Sequence, residues 1–284
     1  MRRIDSATII VSLMRCKLGT FMSWNLDPII KQFGPFTLGW YGLFFAGGVL
    51  IGLQLMQWIY RREGRNVAEL DRLLWFVLAG TLIGMRLGHC LFYDPGYYLT
   101  HWWEIPQFWL GGYASHGGAV GLLVAVALYC RGPERPSYFW LLDRLAIPAV
   151  LTGAFIRIGN FFNSEIVGNP TDSVFGVVFK RVDALSRHPV QLYEAVSYLA
   201  IFVVLILVYR HKRGLRDGGI TGLYFILVFT ARFVLEFLKT PQAAYEGGLT
   251  IHVGQYLSLP FVLVGVALLL RGRRAKNSSA IESK

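Results

Sequence analysis

At 284 residues, with 54% hydrophobic and 16% charged residues and a mean hydropathy of +0.46, the chain reads as an all-α polytopic membrane protein rather than one or two soluble domains. Its formal charge of +11 sits in short basic segments between apolar runs, without the aromatic interleaving of a nucleic-acid surface, so it is a charge of topology. Cys16, Cys90 and Cys130 have neither metal-ligand spacing nor an even disulfide framework, which argues against a structural zinc or a stapled secreted fold.

In chain order, Arg2 and Arg3 precede a short apolar stretch, Ala7 to Met14, interrupted by Ser12, Arg15 and Lys17, with no small-residue cleavage site after it; a cleaved signal is not expected. The change of character from Trp24 to Trp40 favours translation from Met22, leaving residues 1–21 as an N-terminal extension. A first span is predicted from Leu38 to Tyr60, long enough at about 1.5 Å per residue to cross about 30 Å of hydrocarbon. Its glycines Gly42, Gly47, Gly48 and Gly52 allow close approach of another helix. The second span runs from Leu70 to Tyr93. Asp94 to Tyr113, rich in Trp and Tyr and without Lys or Arg, reads as an interfacial segment. A shorter third span covers Ser115 to Cys130, and a fourth Trp140 to Asn163. The more polar stretch Ser164 to Arg187 forms a small extracytoplasmic cap, with alternation from Val174 to Phe179 suited to a short strand or hairpin. Pro189 suits the first turn of a fifth span that ends near Tyr209. The sixth span is Gly219 to Lys239, the seventh His252 to Leu270, and residues 275–284 form a polar cytoplasmic tail expected to be disordered.

Basic clusters follow spans one, three, five and seven (Arg61, Arg62 and Arg65; Arg131 and Arg135; Arg210, Lys212, Arg213 and Arg216; Arg271, Arg273, Arg274 and Lys276), whereas the connection after span two has none. The positive-inside rule then places the C-terminus in the cytoplasm and both the N-terminus and residues 164–187 outside, despite Lys180, Arg181 and Arg187.

An ionisable group inside a span costs about 2.5 to 3.5 kcal/mol at the helix centre, so each needs a partner or a task. Arg157, Asn160 and Ser164 fall at i, i+3 and i+7 of one helix and point the same way, with Asn163 and Glu165 beside them. Arg232 and Glu236, four apart, suit an intrahelical ion pair with Lys239 continuing the stripe; Arg86 and Glu236 pairing across helices fits equally. Asp143 and Arg144 read as ordinary interfacial residues. His116, in Ser115-His116-Gly117-Gly118, sits where two glycines leave room for a ligand or a close helix contact, and an imidazole titrating near neutrality can take a proton from a thiol or hydroxyl. His188, Gln191, Tyr193 and Glu194 make a compact polar start to span five that reads as structural. Two arginines near one level of a bilayer suggest an anionic partner, and phosphate, which a guanidinium matches bidentately, is the anion membranes supply.

Taken together, Trp40-Tyr41-Gly42, Arg86-Leu87-Gly88, Ser115-His116-Gly117-Gly118, the run Arg157-Ile158-Gly159-Asn160-Phe161-Phe162-Asn163-Ser164-Glu165 with Gly168, Arg187-His188-Pro189 with Gln191-Leu192-Tyr193-Glu194, and Arg232 with Glu236-Phe237 resemble the bacterial phosphatidylglycerol–prolipoprotein diacylglyceryl transferase family across residues 22–274. Met85, His89, Phe162 and Ser164 are departures from its usual pattern. The resemblance implies a seven-helix inner-membrane enzyme, with no metal and no organic cofactor. It would move the diacylglyceryl group of phosphatidylglycerol onto the lipobox cysteine of a preprolipoprotein, forming a thioether and releasing glycerol phosphate. On that reading Arg157, Arg232 and His116 are catalytic, the arginines on phosphate and His116 as proton acceptor. Tyr41, Asn160 and Glu165 orient the headgroup and the arginines, Glu236 fixes Arg232, Gly168 permits a tight turn, and Arg86 joins the substrate-binding set. The competing reading from another class is a transporter or flippase for an anionic lipid or phosphate-bearing solute, whose composition would be the same.

Overall fold

The computed structural model describes residues 22–34, 36–132, 134–211, 216–240 and 253–282. The proposed extension 1–21, Lys212, Arg213 and His252 lie outside them. Long apolar runs fold as helices because a helix satisfies its own backbone where no water can. Among the described residues, six are long and apolar enough to cross a membrane: α1 (Trp40–Arg62), α2 (Glu69–Phe92), α5 (Tyr138–Phe162), α6 (Val190–His211), α7 (Gly219–Glu236) and α8 (Val253–Glu282), the last over Gly254–Arg271. Between α2 and α5 lie α3 (Pro95–Thr100), two 3₁₀ turns and α4 (Ser115–Tyr129). The 15 residues of α4 span roughly 22 Å, short of a typical hydrocarbon core of about 30 Å. The helix α8 continues through the expected disordered tail to Glu282.

The chain is mostly helical, but not all-α. Strands β1 (Met22–Trp24), β4 (Val177–Phe179) and β5 (Ser186–Arg187) form a sheet in the order β1-β4-β5, with β1 parallel to β4 and β4 antiparallel to β5. Strands β2 (Ile29–Phe33) and β3 (Phe36–Gly39) form a separate antiparallel hairpin. The β4–β5 pair answers the alternation expected between Val174 and Phe179. The strand at Met22 and the hairpin were not expected: segments of three to five residues carry too little periodicity to be told from loop.

Contacts divide the chain into two units. One comprises residues 1–50, 149–211 and 222–267. Within it α1 and α5 approach through glycine: a Cβ at Gly48 would lie 3.2 Å from the Thr152 Cα, and one at Gly159 3.2 Å from the Tyr41 Cα. Thr152 also donates to the Gly48 carbonyl at 3.2 Å. Below the three-stranded sheet, Phe161, Val177 and Phe179 form a core with Trp24, Phe162, Val167 and Leu192 against it. The Trp24 and Phe161 rings sit 4.6 Å apart. Helices α7 and α8 meet through stacked Phe229 and Phe261, 4.2 Å between centroids.

The other unit comprises residues 51–148, 212–221 and 268–284. Its organising feature is a glycine seam. Gly80, Gly84 and Gly88 recur every fourth residue on α2, so they share a face, and meet Gly117 and Gly121 of α4. A Cβ at Gly88 would stand 2.8 Å from the Gly117 Cα, and one at Gly121 2.8 Å from the Gly84 Cα. Between helices in lipid, association of this kind rests on close backbone packing; the room beside His116 is therefore taken by a helix, one of the two uses its glycines allowed. Asp143 and Arg144 are not ordinary interfacial residues. Both are buried. The Asp143 carboxylate accepts from the Gly218 N–H (2.9 Å), the Thr221 N–H (2.8 Å) and the Thr221 hydroxyl (2.7 Å), so it satisfies the orphan donors that begin α7. Arg144 pairs with Glu63 at 3.0 Å.

Candidate active site

Helix α5 ends in a way the local sequence makes costly. The Glu165 N–H donates to the Asn160 carbonyl at 2.9 Å and the Ser164 N–H to the Phe161 carbonyl at 3.0 Å, the paired bonds of a Schellman terminus. That motif needs a left-handed residue where glycine is usual, and here Ser164 takes it, with φ 57°. Ile166, two residues on, is also left-handed at φ 55°, an outlying conformation for a β-branched side chain. The reversal brings Glu165 back over the helix: its carboxylate accepts from the Asn160 and Asn163 amides, both at 3.1 Å. Asn160 accepts in turn from an Arg157 terminal nitrogen at 3.4 Å.

Arg157 begins a buried chain of charge. Its Nε lies 3.0 Å from Glu194, and Glu194 lies 2.9 Å from the Lys239 ammonium, which lies 3.0 Å from Glu236. The two contacts to Glu194 are close ion pairs, though outside directional hydrogen-bond geometry. Glu194 is 0% exposed and Lys239 4%, so each needs the other: breaking a buried pair by removing one partner costs about 3–5 kcal/mol. Tyr198, one turn beyond Glu194 on α6, lies within electrostatic reach of Arg157. Local backbone sets these positions. Gly168 bridges Lys239 in antiparallel fashion, the Asn169 N–H donates to the Leu238 carbonyl at 2.8 Å, and the Asn169 amide to the Phe237 carbonyl at 3.2 Å. Gly254 on α8 makes room for Glu236, since a Cβ there would fall 2.6 Å from its carboxyl carbon.

Of the residues expected from sequence, Arg157, Asn160 and Glu165 come together, and Tyr41, in the first turn of α1, lies within electrostatic reach of both Arg157 and Glu165. Gly168 stands beside them, for a different reason than a turn. A Cβ there would lie 2.6 Å from the His188 carbonyl oxygen, so lack of space, not a left-handed backbone, requires glycine. Glu236 does not pair with Arg232: among the described residues its partner is Lys239, three residues on. The half-buried Arg232 acts electrostatically on Tyr224. Arg86 is bonded within its own unit. Its Nε donates to the Ile105 carbonyl at 3.0 Å, and its terminal nitrogens to the carbonyls of Glu104 (2.7 Å) and Gly111, with the Tyr98 ring 5.2 Å away. It thus pins the interfacial segment. His116 is exposed on the first turn of α4. Sequence reasoning gave Glu194 and Lys239 no part in the site. The available signal was Glu194, a carboxylate bordering an apolar helix without a counter-ion in its own heptad, and Lys239, an ammonium three residues from Glu236.

A half-buried arginine, two amides and a carboxylate on one helix end suit an anionic ligand, but comparison with known proteins decides the family. The sequence profile of prolipoprotein diacylglyceryl transferase matches residues 28–271. The chain belongs to the prolipoprotein diacylglyceryl transferase family. A phosphatidylglycerol–prolipoprotein diacylglyceryl transferase of Tolumonas auensis is 55% identical over 253 residues, covering 89% of this chain and 98% of that protein. Proteins of the same name from Chloroherpeton thalassium (47% identity; 89% of this chain, 94% of that one) and Bacteroides fragilis (39%; 86% and 93%) extend the match. The family match takes in both units, and so includes Arg86 and His116 as well as the Arg157 cluster.

Proposed function

We propose that the chain transfers the diacylglyceryl group of phosphatidylglycerol to the lipobox cysteine of preprolipoproteins at the outer leaflet of the bacterial inner membrane. The observation that carries the site assignment is Arg157, half-buried and anchored by side chains: Glu194 pairs with its Nε and Asn160 accepts from one terminal nitrogen, and a planar guanidinium carries further donors suited to phosphate. The cysteine sulfur attacks the glyceryl carbon that bears the phosphate. The S–C bond forms as the C–O bond breaks, its electron pair passes to the phosphate oxygen, and glycerol phosphate leaves. Arg157 and Arg232 stabilise that developing charge, an electrostatic contribution fixed in place before reaction. Because Glu236 is held by Lys239, Arg232 has no intrahelical counter-ion to surrender. Tyr41, Asn160 and Glu165 orient the glycerol headgroup, and Gly168 keeps the segment after Glu165 close to His188. His116 takes the thiol proton, since the thiolate is the nucleophile. Arg86 contributes by fixing the segment 94–113 rather than by touching lipid.

In the membrane, α4 completes a seven-helix bundle. Packed on α2 through the glycine seam, it needs no full-length lipid-facing surface of its own. The basic connections face the cytoplasm with the C-terminus, and the N-terminus and the sheet-bearing segment 164–187 face outward. The test is reconstitution: purified protein in detergent with phosphatidylglycerol and a lipobox peptide yields the thioether-linked peptide and glycerol phosphate. A protein that only carries lipid or anion across a bilayer yields neither. Run across pH, the same assay with His116→Gln should lose the limb set by thiol deprotonation; an unchanged profile at near-normal turnover removes His116 from the mechanism.

A further inference from the structure

The turn that carries Glu165 is strained at both neighbours, and its Schellman bonds fix Ser164 and the Glu165 N–H but not the backbone beyond them. Ser164 and Ile166 are both left-handed, and the buried Ser164 hydroxyl has no hydrogen-bond partner among the described residues. Conformations of this kind persist where the surroundings over-determine them. The Asn160 and Asn163 amides hold the Glu165 side chain from the helix before it. The Glu165 carbonyl is held from the helix after it: Gln191, in the first turn of α6 and 0% exposed, donates to it from Nε2. The Gln191 Oε1 has no hydrogen-bond partner among the described residues. A buried amide with one half unsatisfied is a poor structural choice, since an apolar side chain of similar volume would fill the space without that cost.

We infer that Gln191 is a positioning residue for the transfer reaction: it clamps the strained Ser164–Ile166 turn and so fixes the Glu165 carboxylate against Asn160 and, through Asn160, Arg157. This rests on the reading that Glu165 belongs to the site. Without the Gln191 bond, Ile166 relaxes toward negative φ, and residue 165 rotates away from the two amides. The chain of contacts from Glu165 to Arg157 then loses its first link, and the loss falls on turnover rather than on folding.

Three variants, assayed in detergent with phosphatidylglycerol and a lipobox peptide, test this. Gln191→Met keeps the volume and removes the donor; its kcat should fall about tenfold with the KM for lipid little changed, as expected when an interaction that matters in the transition state is misaligned. Ile166→Gly alone should stay within about twofold of the parent, because glycine takes the left-handed conformation without steric cost. In the Gln191→Met background, Ile166→Gly should restore most of the lost kcat, since the turn then no longer needs a clamp. Gln191→Met at parental kcat overturns the inference. So does a loss that Ile166→Gly fails to relieve, which would mark Gln191 as a packing residue. Glu165→Gln at full turnover is a separate failure: it removes Glu165 from the site, and the clamp with it.

Discussion

Arg86, buried, and Arg157, half-buried, are both guanidiniums on membrane-spanning helices, and they are held in opposite ways. Arg86, 1% exposed, places its donors on three backbone carbonyls of the segment 104–111. Arg157 is held by side chains, the Glu194 carboxylate and the Asn160 amide. Backbone carbonyls are fixed and neutral, so Arg86 serves as a rivet: its charge organises the loop around itself and has no counter-ion among the described residues. Arg157 does have one, Glu194, which Lys239 and Glu236 extend into a line of alternating charge. Burial of a charge in a membrane helix thus measures its cost; the chemistry of its partners indicates its use.

The comparison breaks most clearly at Arg157. Arg157→Lys retains a cation for Glu194 but loses the planar fork, and turnover in the lipidation assay should fall by about 10²–10³, the loss of about 2.7–4 kcal/mol typical of removing one transition-state donor. Thermal stability should move little. Retention of full activity would show that charge alone suffices there. Arg86→Met should behave in reverse. Three carbonyls lose a charged donor at once, and about 2–3 kcal/mol of stability should go with them, read as a lower unfolding midpoint and as early proteolysis within residues 94–113. The protein that remains folded should bind lipid as before. An Arg86→Met protein that is stable yet has lost lipid affinity would return Arg86 to the substrate-binding set.

Most of the helical plan was legible because it follows from one-dimensional quantities: apolar length, positions of glycine and proline, and basic clusters between runs. The predicted Leu70–Tyr93 and the observed Glu69–Phe92 differ by one residue at each end. What escaped was whatever depends on residues far apart in sequence. Pairing of Met22 with Val177 joins segments over a hundred residues apart, and no local pattern at Met22 announces it. Within the site, Arg157, Asn160 and Glu165 were readable because a single helix end brings them together. The ion pairs were not: spacing offered Glu236 to Arg232, whereas Lys239, turned inward by the bridge between residues 168 and 239, takes it instead and joins it to Glu194 on another helix. Spacing along one helix lists the neighbours a charge can have; tertiary contacts choose among them.

A third ionic contact, outside the spans, gives the comparison its lower limit. Arg187 donates from Nε to both Asp183 oxygens, at 3.0 and 3.1 Å, and from a terminal nitrogen to the Gly168 carbonyl at 3.1 Å, so it ties the segment after β4 to the backbone that bridges Lys239. Those bonds hold the Asp183 carboxyl below its ordinary range. A carboxyl whose folded pKa is depressed adds stability that is fully present above the unfolded value, near 3.9, and is lost as pH falls through the folded value. Asp183 keeps 31% of its side chain exposed, so solvent screening limits the contribution to a few tenths of a kcal/mol. Hydrogen exchange of residues 168–187 should therefore quicken modestly as pH drops from 5 toward 3, after correction for the intrinsic rate, and Asp183→Asn should flatten that dependence while leaving the lipidation rate at neutral pH unchanged. If the variant instead slowed lipidation as much as Gln191→Met, the partly exposed pair would be coupled to Arg157 through Gly168, and the distinction between arginines held by carbonyls and arginines held by counter-ions would have to extend beyond the membrane helices.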